Sequence, residues 1–196
     1  MRISVDDLIS KIRSVLDQRT RRAVQRDSLV PAAVLLPLLD RPQGVHVLFA
    51  KRSEDVPRHK GQMAFPGGVV SEGDASRLHT ALREAHEEIS LPADSVDILG
   101  SLDDVEAVAT PFVITPFVGL IRNPFTYTPD GAEIERVIEV SLETLLDPAT
   151  FRVEEWNLEG RHLQISLYDC HGDIIWGVTA RILKQFLDLV FGEASR

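Results

Sequence analysis

A single cysteine, Cys170, stands in a chain of 196 residues, which excludes an intramolecular disulfide and any zinc site built from clustered cysteines. The thiol is read as a small buried or half-buried side chain, and a reducing cytoplasm is the expected compartment. Long apolar runs are missing too: no stretch reaches the length needed to span a bilayer. Near the N-terminus, Asp6 and Asp7 interrupt the stretch where a signal peptide would carry its apolar centre. Positive charge is in deficit. With 21 Lys and Arg against 30 Asp and Glu, the net charge of −9 argues against a protein that lives on nucleic acid or anionic lipid. It leaves room for a small polyanionic substrate, because a bound cation reverses the local potential. An acidic chain that handles phosphates is therefore expected to carry a metal. Internal repeats and low-complexity segments are absent as well.

What is present suits one globular domain with modest extensions. Val5, Leu8, Ile9, Ile12, Val15 and Leu16 recur at helical spacing, so an amphipathic helix is expected over residues 4–18, with Ser4 and Asp7 resembling a capping box. Arg19, Arg21, Arg22 and Arg26 follow, in a segment read as a solvated connector or dimer contact, with phosphate binding as the alternative. Strands are expected over 32–39, where Pro37 suggests an edge or a break, and over 45–51, joined by a turn at 41–44. A loop over 52–61 leads to a short extended piece, 62–65, which Gly67 and Gly68 end. The clearest helix spans 75–89, with Leu78, Ala81, Leu82, Ala85 and Ile89 as its core stripe and Asp74 as its N-cap. Further strands are expected over 96–99, 112–121 and 134–140, a helical turn over 142–146, a hairpin from 163–168 and 174–176, and a closing amphipathic helix over 179–191. Strands and helices mix without the alternation of a doubly wound sheet, which points to an α+β chain with a mixed sheet packed between helices.

The segment 83–88 reads Arg-Glu-Ala-His-Glu-Glu. At about 100° per residue, Glu84 and Glu88 are one turn apart with Glu87 beside them, so three carboxylates share one stripe next to the apolar face. Like charges at this spacing repel, and a magnesium or manganese ion, which seeks oxygen ligands, removes the penalty. Arg83 can reach Glu87 one turn on and orient the acids. Alone, such a run is commonly a solvated face. Its company changes that reading, because Phe65-Pro66-Gly67-Gly68 lies upstream, where glycines let backbone come close to a ligand and a carbonyl becomes a natural extra donor.

These residues resemble the Nudix hydrolase family, whose signature is Gly, five residues, Glu, seven residues, then Arg-Glu, an aliphatic residue, any residue, Glu-Glu, any residue, Gly and an aliphatic residue. Gly68 matches the first glycine and residues 83–91 match the second half. Asp74 stands in for the upstream glutamate, eight residues rather than seven separate it from Arg83, and Ser90 replaces the late glycine. Residues 48–68 (LFAKRSEDVPRHKGQMAFPGG) are similar to the upstream signature of the coenzyme A pyrophosphatase branch, through Arg52, Ser53, His59, Gly61 and the segment 65–68. Pro57 occupies that signature's usual arginine position with Arg58 next to it, and Ala50 replaces its threonine. Later matches to the same branch are Thr115-Pro116-Phe117-Val118, the segment 133–142, and Ile175-Trp176-Gly177-Val178-Thr179-Ala180.

The resemblance implies a Nudix fold over 29–196, preceded by an N-terminal helix and connector over 1–28. It implies metal-dependent hydrolysis of coenzyme A or its derivatives to 4′-phosphopantetheine and adenosine 3′,5′-bisphosphate. Mg²⁺ or Mn²⁺ would be held by Glu84, Glu88 and Glu87, with the Gly67 carbonyl as a further ligand. Glu84 or Glu133 would serve as the general base, Arg83 would orient the acids, and Arg52, Arg58 and His59 would contact the anionic substrate. His79 and His86 are read as bystanders, and Trp176 and Phe117 as core or pocket walls. ADP-ribose, NADH or another nucleoside-diphosphate derivative is the alternative substrate, and a non-catalytic nucleotide-sensing module is the minor one. The N-terminal apolar stripe is expected to find its partner in a homodimer.

Overall fold

The computed structural model describes residues 4–56, 59–108, 110–122, 125–158 and 161–192. Helix α1 (Val5–Asp17) precedes strands β1 (Val30–Arg41), β2 (Gly44–Arg52), β3 (Met63–Ala64) and β4 (Gly67–Val69). Helix α2 (Arg77–Ile89) leads into β5 (Val96–Ser101), β6 (Val105–Glu106), β7 (Phe112–Ile121) and β8 (Ile134–Ser141). The short α3 (Leu142–Leu146) is followed by β9 (Phe151–Leu158), β10 (Arg161–Cys170), β11 (Asp173–Trp176) and α4 (Gly177–Phe191). Among the described residues, no helix is long and apolar enough to cross a membrane.

Strand β1 is the spine. It runs parallel to β7 from Val30 against Phe112 to Leu39 against Ile121. Its other edge pairs antiparallel with β4 through 32–34 and with β2 through 38–41. Strands β3 and β8 pair with β2, and β5 and β6 pair with β7, giving one mixed sheet of eight strands. Alternate side chains leave opposite faces. Ala33, Leu35 and Leu39 meet Ala81, Ala85 and Ile89 of α2 on one face. Ala32, Leu36 and Leu38 join Ile12 of α1 and Ile182, Leu183 and Phe186 of α4 on the other. The sheet is thus sandwiched between helices, in the α+β arrangement expected. A second sheet, β9–β10–β11, lies beside α4.

Three expectations are corrected. Pro37 is buried in mid-strand, neither an edge nor a break. The Leu35 N–H points to the Pro66 carbonyl, so by alternation the Pro37 nitrogen faces the gap where β1 changes partner from β4 to β2, and no ladder bond is lost there. Gly67 and Gly68 do not merely end an extended piece; they form a strand of their own on β1. The reason for expecting a homodimer is met within the chain, because Leu8, Ile9, Ile12 and Leu16 are buried in the shared core against β5 and α4. The arginine-rich connector is largely exposed, as expected, yet it is tied to the domain rather than free: Arg19 pairs with Asp103, Arg21 with Asp104 and Arg26 with Glu106 at 2.8 Å.

Strand β9 has no counterpart in the sequence reading. Its apolar residues change phase between Val153, which is 52% exposed, and Trp156, which packs on Trp176 at 5.1 Å. A broken alternation of this kind hides a strand whose register is set by its partner β10.

Candidate active site

The site forms where β4 passes beneath α2. Ser76, not Asp74, caps the helix, its hydroxyl accepting from the His79 N–H. Asp74 is thereby released for another task. Its two carboxylate oxygens take Nε and Nη2 of Arg83 at 2.9 and 3.0 Å, and it also accepts from the Ser71 N–H and the Thr80 hydroxyl. These hydrogen bonds, with Arg83 the largest cause, hold the Asp74 carboxyl well below the usual carboxylate range. So anchored, Arg83 extends Nη1 to Glu84 at 2.8 Å and to Glu87 at 3.0 Å.

Glu84 and Glu88 face inward toward the glycine strand. A Cβ on Gly68 would lie 2.5 Å from the Glu84 carboxyl carbon, so the bare backbone is what lets the carboxylate settle there. Glu88 is buried, and its Oε2 accepts from the Gly67 N–H at 3.1 Å. Desolvation pushes its carboxyl up to about 8, against the opposing Gly67 hydrogen bond and with help from the nearby Glu84 charge. Burial also raises Glu84, opposed by Arg83. The pocket is short of positive charge for the acids it holds.

Opposite them, a bulge between Lys51 and Arg52 turns Arg52 inward. Its Nη2 meets Glu133 at 3.1 Å and its Nη1 lies 3.9 Å from Glu88, while its buried Nε has no partner among the described residues. Glu133 is fixed from both sides. The Asp130 carboxylate accepts from the N–H groups of Ala132, Glu133 and Ile134, and the Glu133 carbonyl accepts from the Ser53 N–H at 2.8 Å.

Of the residues singled out in sequence, Glu84, Glu88, Gly67, Arg83, Arg52 and Glu133 come together. Glu87 sits on the outer side, 57% exposed and turned toward Arg83. His59 lies in the wall of the adjoining cleft, and Arg58 falls outside the described residues. His79 leans on Asp74 at 3.2 Å, and the exposed His86 takes no part. Phe117 packs against the core beneath α2, and Trp176 lines a cleft. Among the described residues no three carboxylate or imidazole side chains close around a single point, because Arg83 and Arg52 hold Glu87 and Glu133 apart from the inner pair. Sequence reasoning missed Asp74 as the anchor of Arg83. The signal was there, in an acid one position out of the signature's spacing.

Two adjoining clefts open near the site, and the glycine strand lines the smaller one. One, of about 210 Å³, is lined by Arg52, His59, Gln62, Phe65, Gly67 and Gly68 among others. The other, of about 450 Å³, shares His59, Gln62, Phe112, Ile114, Val178 and Thr179 with it and continues toward Trp176 and β10.

The NUDIX domain profile matches residues 29–158. The chain belongs to the Nudix family. It is 34% identical over 191 residues to the uncharacterized Nudix hydrolase NudL of Cronobacter sakazakii, covering 97% of this chain and 96% of that one. The corresponding NudL of Escherichia coli K12 is 33% identical over 183 residues, 93% of each chain. Among solved structures, a Nudix family protein from Enterococcus faecalis superposes with a TM-score of 0.54 at 16% identity, over 97% of this chain and 76% of that chain. The Caenorhabditis elegans Ap4A hydrolase superposes with a TM-score of 0.50 at 21% identity, over 62% of this chain and 86% of that chain. At these identities the superpositions establish the Nudix fold, and the sequence relatives establish a Nudix hydrolase.

Proposed function

We propose that this Nudix hydrolase cleaves the pyrophosphate bond of coenzyme A or its derivatives, releasing 4′-phosphopantetheine and adenosine 3′,5′-bisphosphate. One observation carries the substrate reading. Residues of the segment that resembles the coenzyme A pyrophosphatase branch, Arg52, His59, Phe65, Gly67 and Gly68, line one cleft, and three of them also reach the acids: the Gly67 N–H donates to Glu88, Gly68 faces the Glu84 carboxylate, and Arg52 lies 3.9 Å from Glu88.

The donor set suits a hard divalent cation. It is all oxygen, one acid is buried with insufficient positive charge beside it, and the bare backbone of Gly68 lets the Glu84 carboxylate lie against the strand. Glu84 and Glu88 are the principal ligands for Mg²⁺ or Mn²⁺, with Glu87 and the Gly67 carbonyl as further donors. When bound, the ion neutralises phosphate oxygens and lowers the pKa of the attacking water. Arg83, fixed by Asp74, keeps Glu84 in the orientation the cation requires. Glu133, exposed and paired with Arg52, is the candidate to take the proton from water, with Glu84 as the alternative base. Arg52 balances Glu88 and Glu133 and can turn to a phosphate oxygen when a cation takes over that task. Catalysis of this kind rests on positioning and charge neutralisation.

The test is a panel of coenzyme A, ADP-ribose and NADH with Mg²⁺ or Mn²⁺, products resolved by chromatography. Coenzyme A should give the two named products and be the best substrate. Hydrolysis of ADP-ribose far above that of coenzyme A would overturn the substrate.

A further inference from the structure

The larger cleft ends on the first turn of α4, far along the molecule from the carboxylates. Trp176, the N-cap of this 15-residue helix, offers no side-chain cap. Gly177 adopts a φ of 65°, and a Cβ there would touch nothing, so its backbone conformation rather than space calls for glycine. The first N–H groups of a helix have no acceptor within it and carry the positive end of its dipole. Here that turn forms part of the cleft wall, through Gly177, Val178 and Thr179.

A second observation points to a ligand. Thr179 is only 6% exposed and lines both clefts, yet its hydroxyl has no partner among the described residues. The other buried serine and threonine hydroxyls among the described residues are engaged: Ser53 with the Asp55 N–H, Thr80 with Asp74, Thr115 with Asp104. The Thr179 side chain is thus held in the core while its hydroxyl opens to the cleft, where a ligand can reach it. Beside it Arg181 lines the larger cleft, one guanidinium nitrogen donating to the Glu106 carbonyl at 2.7 Å and its remaining donors open. In a chain with a net charge of −9, helix N-terminus, hydroxyl and guanidinium make a local concentration of donors.

We propose that the first turn of α4, the Thr179 hydroxyl and Arg181 form a phosphomonoester subsite that receives the 3′-phosphate on the adenosine half of the substrate. Trp176 and Phe112, in the same cleft, supply the apolar walls that a nucleobase needs. The assignment rests on the coenzyme A reading. It adds that the adenosine half lies along the larger cleft, with the bridging pyrophosphate over Gly67 and Gly68 in the smaller one, which adjoins it at Phe112, Ile114, Val178 and Thr179.

The experiment compares kcat/KM for coenzyme A with that for 3′-dephospho-coenzyme A in the wild type, Thr179→Val and Arg181→Gln, with circular dichroism melts to show that each is folded. The wild type should favour the 3′-phosphorylated substrate, and Thr179→Val should cut that preference about tenfold, as loss of a hydrogen bond to a charged group does. Arg181→Gln should cut it less. An equal preference in all three, or none in the wild type, overturns the subsite. If neither thiol is hydrolysed, the coenzyme A reading fails by itself, and calorimetry then decides the subsite. Adenosine 3′,5′-bisphosphate binding more tightly than adenosine 5′-monophosphate, with the difference lost in Thr179→Val, supports it; equal binding of the two nucleotides overturns it.

Discussion

Two clusters of acid and arginine lie along α2, and they are finished in opposite ways. At the start of the helix, Asp104 is fully buried, yet every side of it is occupied: Arg21 and Arg77 pair with it, the Thr115 hydroxyl donates at 2.7 Å, and the Val24 N–H donates at 3.0 Å. Three turns along, Glu88 is buried almost as deeply with a single hydrogen bond from Gly67 and a guanidinium no nearer than 3.9 Å. The first cluster clamps the N-terminal connector to the helix that carries the acids. The second is left electrostatically incomplete. A buried carboxylate with too little positive charge is a place prepared for a cation from outside the chain, and the contrast separates structural from chemical use of the same residue types.

The contrast is sharpest in activity. Glu84→Gln and Glu88→Gln should each lower turnover by about 10³-fold while leaving the fold intact, since loss of a metal ligand or base removes most of the chemistry. Unchanged turnover in both, by the same chromatographic assay, would remove the proposed site. Asp104→Asn should do the reverse. It should lower unfolding free energy by about 3 kcal/mol in urea, as breaking a buried ion pair does, with turnover under native conditions changed far less. Between these extremes, Asp74→Asn should reduce kcat about tenfold at saturating metal, because Arg83 loses its anchor and Glu84 its orientation. A wild-type kcat in Asp74→Asn would show that Arg83 needs no such support.

The smallest effect is on pH. In metal-free protein the folded state holds the Glu88 proton up to about 8, whereas the unfolded chain releases it near 4.5. Across that window the folded state binds more protons, so the Glu88 contribution favours folding at the low end and is lost as pH rises through 8. Urea midpoints in chelator should therefore fall between about pH 5 and 8 and level off above, and Glu88→Gln should flatten the fall. An identical slope in wild type and variant would mean that Glu88 is not the group responsible.

Much of this was legible in the residues. The helices were visible because Leu8, Ile12, Ala81, Ala85 and Phe186 keep helical spacing, and the sequence run 83–88 marked the acids before any fold was known. What escaped was set by long-range partners. Pro37 is tolerated because its neighbours change across the sheet, β9 because β10 dictates its register, and the apolar stripe of α1 because β5 and α4 cover it. The role of Asp74 escaped for a local reason: Ser76 takes the cap, and the freed carboxylate reaches Arg83 nine residues on. Thr179 was marked in the sequence only as one residue of the 175–180 match; its unpartnered hydroxyl is visible only once its surroundings are in place.

The central claim is that a divalent cation completes the Glu84–Glu88 pocket. Titration of Mn²⁺ into the purified protein, followed by calorimetry or by the manganese electron-spin signal, tests it without assuming a substrate. Saturable binding that is lost in Glu84→Gln and Glu88→Gln but kept in Asp104→Asn is the expected result. Equal binding in all four proteins, or none in the wild type, would contradict it.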